Sequence, residues 1–142
     1  MIVVDTGVIV AAAIETDRYH KSCAETLRAL RQKKEVLLLP ATVTAEVGYM
    51  LCNDGGPEAE TKFLKSVSRG GFQPVELLTE DYDRMAELTE KYSNFPLGTT
   101  DASVIAIAER LKVDTIATVD RRHFTAVRPK HISAFHLLPD VL

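Results

Sequence analysis

Apolar positions along this chain follow two patterns. Short unbroken runs, Ile2-Val3-Val4, Val36-Leu37-Leu38-Leu39 and Thr115-Ile116-Ala117-Thr118-Val119, read as strands buried on both faces. Longer segments place apolar residues every three or four positions, the helical period. In residues 19–34 the stripe is Cys23, Ala24, Leu27 and Leu30, with Lys21, Glu25, Arg28 and Arg31 outside. Residues 7–13 predict a short helix, and Glu15, Thr16 and Asp17 a loop after it. Pro40 suits the first turn of a helix reaching Cys52.

Asn53-Asp54-Gly55-Gly56-Pro57 then breaks the pattern. A more polar helix over residues 58–68 carries Ala59, Phe63, Leu64 and Val67 on one face, and Gly70-Gly71 closes it. Residues 75–78 predict a strand, and Thr79 caps a helix to Tyr92 whose start Asp81 and Asp83 favour. Residues 93–98 form a loop. The helix headed by Asp101 is apolar almost all round, from Ala102 to Leu111. Residues 121–129 are basic and irregular, and residues 132–138 hold a last strand. Strands alternating with helices, the strands apolar throughout, predict an α/β fold with a parallel sheet covered on both faces. A chain of 142 residues favours one domain over its whole length.

Composition changes this picture little. The hydrophobic fraction of 46% and charged fraction of 26% suit a soluble domain with a real core. A net charge of -3 advertises no nucleic-acid binding globally, although a local basic patch is what counts. Cys23 and Cys52 lack metal-type spacing and sit on apolar stripes, the pattern of reduced thiols in a cytoplasmic protein. No basic leader precedes the first strand, and the longest apolar run, near residues 104–108, is too short to cross a membrane. There is no internal repeat.

Four acids bear on chemistry. In parallel sheets, ligands bind outside the carboxyl ends of the strands. Asp5 and Asp120 stand at such ends, Asp5 as either a helix cap or a metal ligand, Asp120 as either an acid that starts a turn or caps a one-turn helix through Phe124, or a ligand. Asp101 opens its helix, where the dipole favours an acid for structural reasons alone. Glu46 falls on the stripe of Val43, Val47 and Met50 with no Lys or Arg between Pro40 and Pro57, so it should be paired or bound to a cation. Thr118 shares a strand face with Asp120 and can orient a carboxylate or a water. Glu58, Glu60, Glu76, Glu80, Glu87, Glu90 and Glu109 read as solvated faces.

Converging carboxylates repel one another, raise some pKa values, and are relieved by a divalent cation. Carboxylate ligation without Cys suits a hard ion, Mg²⁺ or Mn²⁺, and the natural chemistry is phosphodiester hydrolysis. Arg121, Arg122, His123, Arg128 and Lys130 offer either a basic rim for a phosphate backbone or an ordinary solvated loop.

The segments MIVVDT, PATVTAEVGYML, LGTTDASVIAIAERL and IATVDRRHF occur in the order and approximate spacing of PIN domains, and resemble most the VapC-type toxins of bacterial toxin–antitoxin pairs. The resemblance covers residues 2–138. It implies a PIN-like three-layer α/β/α sandwich with a mostly parallel sheet. It also implies a Mg²⁺-dependent endoribonuclease, Mn²⁺ substituting, that leaves 3′-hydroxyl and 5′-phosphate ends. Asp5, Glu46, Asp101 and Asp120 take the acidic positions, with Asp5 and Asp101 as metal ligands and Thr6 and Thr118 in support. Arg121 and Arg122 are the RNA-binding candidates. A homodimer and a cognate antitoxin carrying a DNA-binding domain are implied as partners. Thr100 departs from the family, where a small or apolar residue often precedes the acid; little consequence is expected.

Three other readings compete. A haloacid-type phosphatase needs an acid two residues after Asp5, where Gly7 stands. A receiver-like domain needs an acidic pair at Asp5, and Thr6 is no acid; nor does Leu37-Leu38-Leu39, which runs into Pro40, supply the phosphoacceptor Asp at a strand end. A catalytically silent PIN-like scaffold would have no use for Glu46.

Overall fold

The chain starts in the middle of its own sheet. A computed structural model describes residues 1–142. Strand β1 (Ile2–Val4) is central, β2 (Leu37–Pro40) and β3 (Gln73–Val75) lie on one side, and β4 (Thr115–Ala117) and β5 (His136–Leu138) on the other. All four pairings are parallel; Val3 sits between Leu38 and Ile116. β1, β2 and the Ile116-Ala117 step of β4 are buried throughout, which is why they read as unbroken apolar runs. The chain winds outward from β1 to β3, crosses back, and resumes at β4, so the order reverses between β1 and β4. A crevice opens at such a switch point.

Six helices form the outer layers. α1 (Thr6–Ala13) packs on α2 (His20–Gln32) and α3 (Ala41–Ser68), and α4 (Thr79–Lys91) packs on α5 (Thr99–Arg110). α6 (Arg121–Ala126) is a short helix in the segment expected to be irregular; the Asp120 side chain accepts from the His123 backbone N–H and so starts it. A single apolar cluster of 32 buried residues links the sheet to both layers.

Several boundaries differ from expectation: the last strand, expected over residues 132–138, is confined to His136–Leu138, and Pro40 ends β2 instead of lying in the first turn of the helix. The helix from Ala41 continues through Asn53-Asp54-Gly55, and the break is confined to Gly56, at φ 80°, before Pro57. β3 lies at Gln73–Val75 instead of residues 75–78, because Leu38, Leu39 and Pro40 pair with Gln73, Pro74 and Val75. Pairing with β2 decides that register, and residues 76–78 only lead into α4. Cys23 is buried and Cys52 half-buried, both as free thiols, and burial pushes the Cys23 thiol up to about 11.

Candidate active site

Asp5 extends β1 by one residue: its N–H donates to the Ala117 carbonyl at 2.9 Å. Its side chain is 5% exposed, with both oxygens engaged. Oδ1 accepts from the Thr6 N–H and Oδ2 from the Thr118 hydroxyl, each at 2.8 Å. Asp5 is therefore the α1 cap, the first of its two sequence readings, and it stands close enough to Asp101 and Glu46 to feel their charges. Thr118 accepts from the Asp120 N–H at 2.9 Å, joining Asp120, Thr118 and Asp5 in one chain of hydrogen bonds. Gly7 permits this closeness, because a Cβ there would overlap the Val119 side chain.

The electrostatics place all four acids in one neighbourhood. Burial pushes the Asp5 carboxyl up to about 6, the Thr118 hydrogen bond opposes this, and the charges of Asp101 and Glu46 add to it. Half-buried Asp101 is raised by burial first and then by Asp120 and Glu46, with His123 opposing. Asp101 heads α5 with both Thr99 and Thr100 before it in that helix; the actual cap residue is Gly98.

Glu46 corrects the reading made from its helix. Val43, Val47, Gly48 and Leu51 are the buried positions of α3's first half, and Glu46 lies beyond their edge, exposed. Met50 is only half-buried, so the buried stripe runs through Val43, Val47 and Leu51 and leaves Glu46 outside it. What Glu46 meets is Thr100, whose hydroxyl donates to its Oε2 at 3.0 Å. Thr100, expected to be of little consequence, is its anchor. Thr6 is buried beside Asp5; its backbone N–H holds the carboxylate, while its hydroxyl has no partner.

Sequence reasoning placed His123 only in the basic rim. In the fold, Asp101, Asp120 and His123 bring ligand-capable atoms within 4.8 Å of one another, and His123 Nδ1 lies 2.7 Å from Asp120 Oδ2. The signal was the spacing: residues three apart at a helix start share a face. The rest of the basic rim disperses. Arg121 turns its guanidinium to the Pro139 carbonyl and ties down the C-terminal tail. Lys130 meets Glu87 with its ammonium and Glu109 with its backbone N–H. Arg122 remains exposed, its guanidinium 4.6 Å from the Phe95 ring centre.

Glu109 is a second correction. Expected to be solvated, it is 8% exposed and held by the Arg84 Nε and Nη2 groups at 2.7 and 3.0 Å. With the Arg110–Asp81 pair it locks α4 to α5, away from the acidic crevice.

Residues 2–129 match the PIN domain family. The chain is similar to Ribonuclease VapC26 of Mycobacterium tuberculosis, 26% identical over 137 residues, covering 96% of this chain and 99% of that protein. Among solved structures, it is similar to Mycobacterium tuberculosis VapC20, described as a sarcin–ricin loop cleaving toxin, with a TM-score of 0.72 at 16% identity over 82% of this chain and 87% of that one. It is also similar to Rickettsia felis VapBC2 bound to a DNA fragment from their promoter, with a TM-score of 0.71 at 17% identity over 96% and 98%. FitAB bound to an IR36 DNA fragment gives 0.62 at 18% identity over 84% and 85%. These structural likenesses carry the three-layer α/β/α architecture. The family match spans residues 2–129, nearly the whole chain, and the chain belongs to the PIN domain family.

Proposed function

We propose that this chain is a Mg²⁺- or Mn²⁺-dependent endoribonuclease and the toxin of a toxin–antitoxin pair. The observation that carries the reading is the meeting of Asp5, Glu46, Asp101 and Asp120 at the β1/β4 switch point. The donor set fits a divalent cation: carboxyls pushed upward by burial and by one another gain when a cation joins them. Asp5 and Asp101 would hold the ion, with Asp120 beside them. When bound, the ion supplies a water of lowered pKa and neutralises charge on the phosphoryl oxygens.

The chain's own groups supply the rest. Thr118 and the Thr6 N–H fix both oxygens of Asp5, so the carboxylate is oriented before any substrate arrives. Glu46 stands at the exposed margin with Oε2 held by Thr100, leaving Oε1 to take a proton from a water entering from solvent. Arg122 beside Asp120 offers a phosphate contact. Kinship with VapC26 and likeness to VapBC2 and FitAB support an antitoxin partner, and a homodimer is the expected toxin form. No helix is long and apolar enough to cross a membrane.

Metal titration tests the reading. Mn²⁺ at about a hundredfold excess over its Kd should stabilise the purified chain by about 2.7 kcal/mol and support RNA cleavage. Glu46→Gln should lower cleavage by about 100-fold or more while stability changes by less than about 0.5 kcal/mol, because the side chain is exposed. If Mn²⁺ neither raises the melting temperature nor supports cleavage, the scaffold reading takes over.

A further inference from the structure

His123 stands beside Asp101 and Asp120, and the four-acid site does not use it. Its Nδ1 faces Asp120 Oδ2 at 2.7 Å. A carboxylate only accepts, so Nδ1 carries the hydrogen, and in the neutral ring Nε2 carries the lone pair. The same Asp120 takes the His123 backbone N–H on Oδ1 at 3.0 Å, so one carboxylate fixes both the main chain and the ring. Phe95 fixes the ring from another side: the two ring centres are 4.6 Å apart, with 33° between planes. That aromatic comes from the loop leading into α5, the helix that carries Asp101. A carboxylate-oriented imidazole with its other nitrogen free is how proteins present histidine to metals. Asp101 completes the group, its ligand-capable atom within 4.8 Å of those of Asp120 and His123.

We propose that His123 is a metal ligand through Nε2 and makes this site select Mn²⁺-class ions over Mg²⁺. The inference rests on the metal-dependent reading above. Imidazole nitrogen suits first-row transition ions, whereas Mg²⁺ demands oxygen and keeps its waters. An all-carboxylate site would discriminate far less. His123 is thus a specificity-determining residue of the metal centre, and Asp120 acts partly through it, as the group that holds its ring.

Full-length protein without RNA provides the test, with Mn²⁺ and Mg²⁺ themselves as probes. Affinities are measured by calorimetric titration, and the Mn²⁺-loaded protein is examined by pulsed electron paramagnetic resonance for coupling to an imidazole nitrogen. The informative variant is His123→Asn, whose amide keeps the donor to Asp120 but removes the second nitrogen. It should weaken Mn²⁺ binding by about tenfold or more, change Mg²⁺ binding by less than about threefold, and abolish the nitrogen coupling. His20, His131 and His136 serve as internal controls, since each has a hydrogen-bond partner elsewhere, at Ala11, Val113 and Asp140. An unchanged Mn²⁺/Mg²⁺ ratio in the variant, or wild-type protein without nitrogen coupling, would leave His123 a structural ring and overturn the inference. Wild-type protein that binds neither ion would instead overturn the metal-dependent reading itself.

Discussion

Both oxygens of Asp5 receive hydrogen bonds, yet its carboxyl is pushed up to about 6 from an ordinary 3.8. Burial outweighs the two donors, and the neighbouring acids push the same way. The folded carboxyl holds its proton more tightly than the unfolded one. Its contribution to stability is therefore fully present below about pH 4 and is lost as pH rises through about 6. The loss is on the order of 3 kcal/mol. Urea denaturation in chelator between about pH 4 and pH 7 should show wild-type stability falling relative to Asp5→Asn. Parallel curves would mean that the crevice does not strain this carboxyl. At the same scale, Glu46 and Glu109 exchanged the roles assigned to them: the acid expected inside is exposed, and one expected outside is buried. Glu46 sits at the flank of a helical stripe, where a small shift in the packing direction reverses the environment, whereas Glu109 ends a helix buried all round and is covered by Arg84 of α4.

Between elements, the decisive contact is that of the α1 start with the end of β4. Gly7 has no side chain, so α1 approaches Val119 and keeps Asp5 within reach of Thr118. Gly7→Ala should cost about 1–3 kcal/mol by overpacking, and should lower kcat/KM at saturating Mn²⁺ by more than the unfolded fraction explains. Equal losses in both would show that the approach serves stability alone. The strands were legible because two-sided burial leaves an unbroken apolar run, and α2 because one-sided burial leaves a period of 3.6. β3 was misplaced because a partly exposed edge strand has neither signature; Gln73 and Pro74 are exposed. α6 was legible only through its cap: six residues are too few to show a period, and Asp120 as the cap of a one-turn helix was the one sign of it.

Across the whole molecule, charge is arranged more finely than a total of -3 conveys. Arg84, Arg110 and Lys130 are committed to acids in the α4–α5 layer, and Arg121 to the tail. Arg122 is the cation left beside Asp120. Replacing Arg122 by Ala should flatten the salt dependence of single-stranded RNA binding, reducing the log–log slope by about 0.7. Arg121→Ala should leave that slope unchanged and lower the melting temperature. A slope that responds to Arg121 and not to Arg122 would reverse the assignment.

The alternation of strands and helices, and the candidacy of the four acids, can be read along the chain itself. Burial imposes periodicity on local residue choice, and acids at strand ends are conspicuous beside apolar runs. Which side chain meets which across long separations belongs to the fold alone. Thr118 holds Asp5 across 113 residues, Thr100 holds Glu46 across 54, and Arg84 holds Glu109 across 25. No local pattern encodes those meetings, because they depend on how the crossover brings β4 back beside β1 and on the angle at which each helix lies. The same return places Asp101, Asp120 and His123 together, and makes a histidine that reads as one more basic residue in the chain a candidate ligand in the fold.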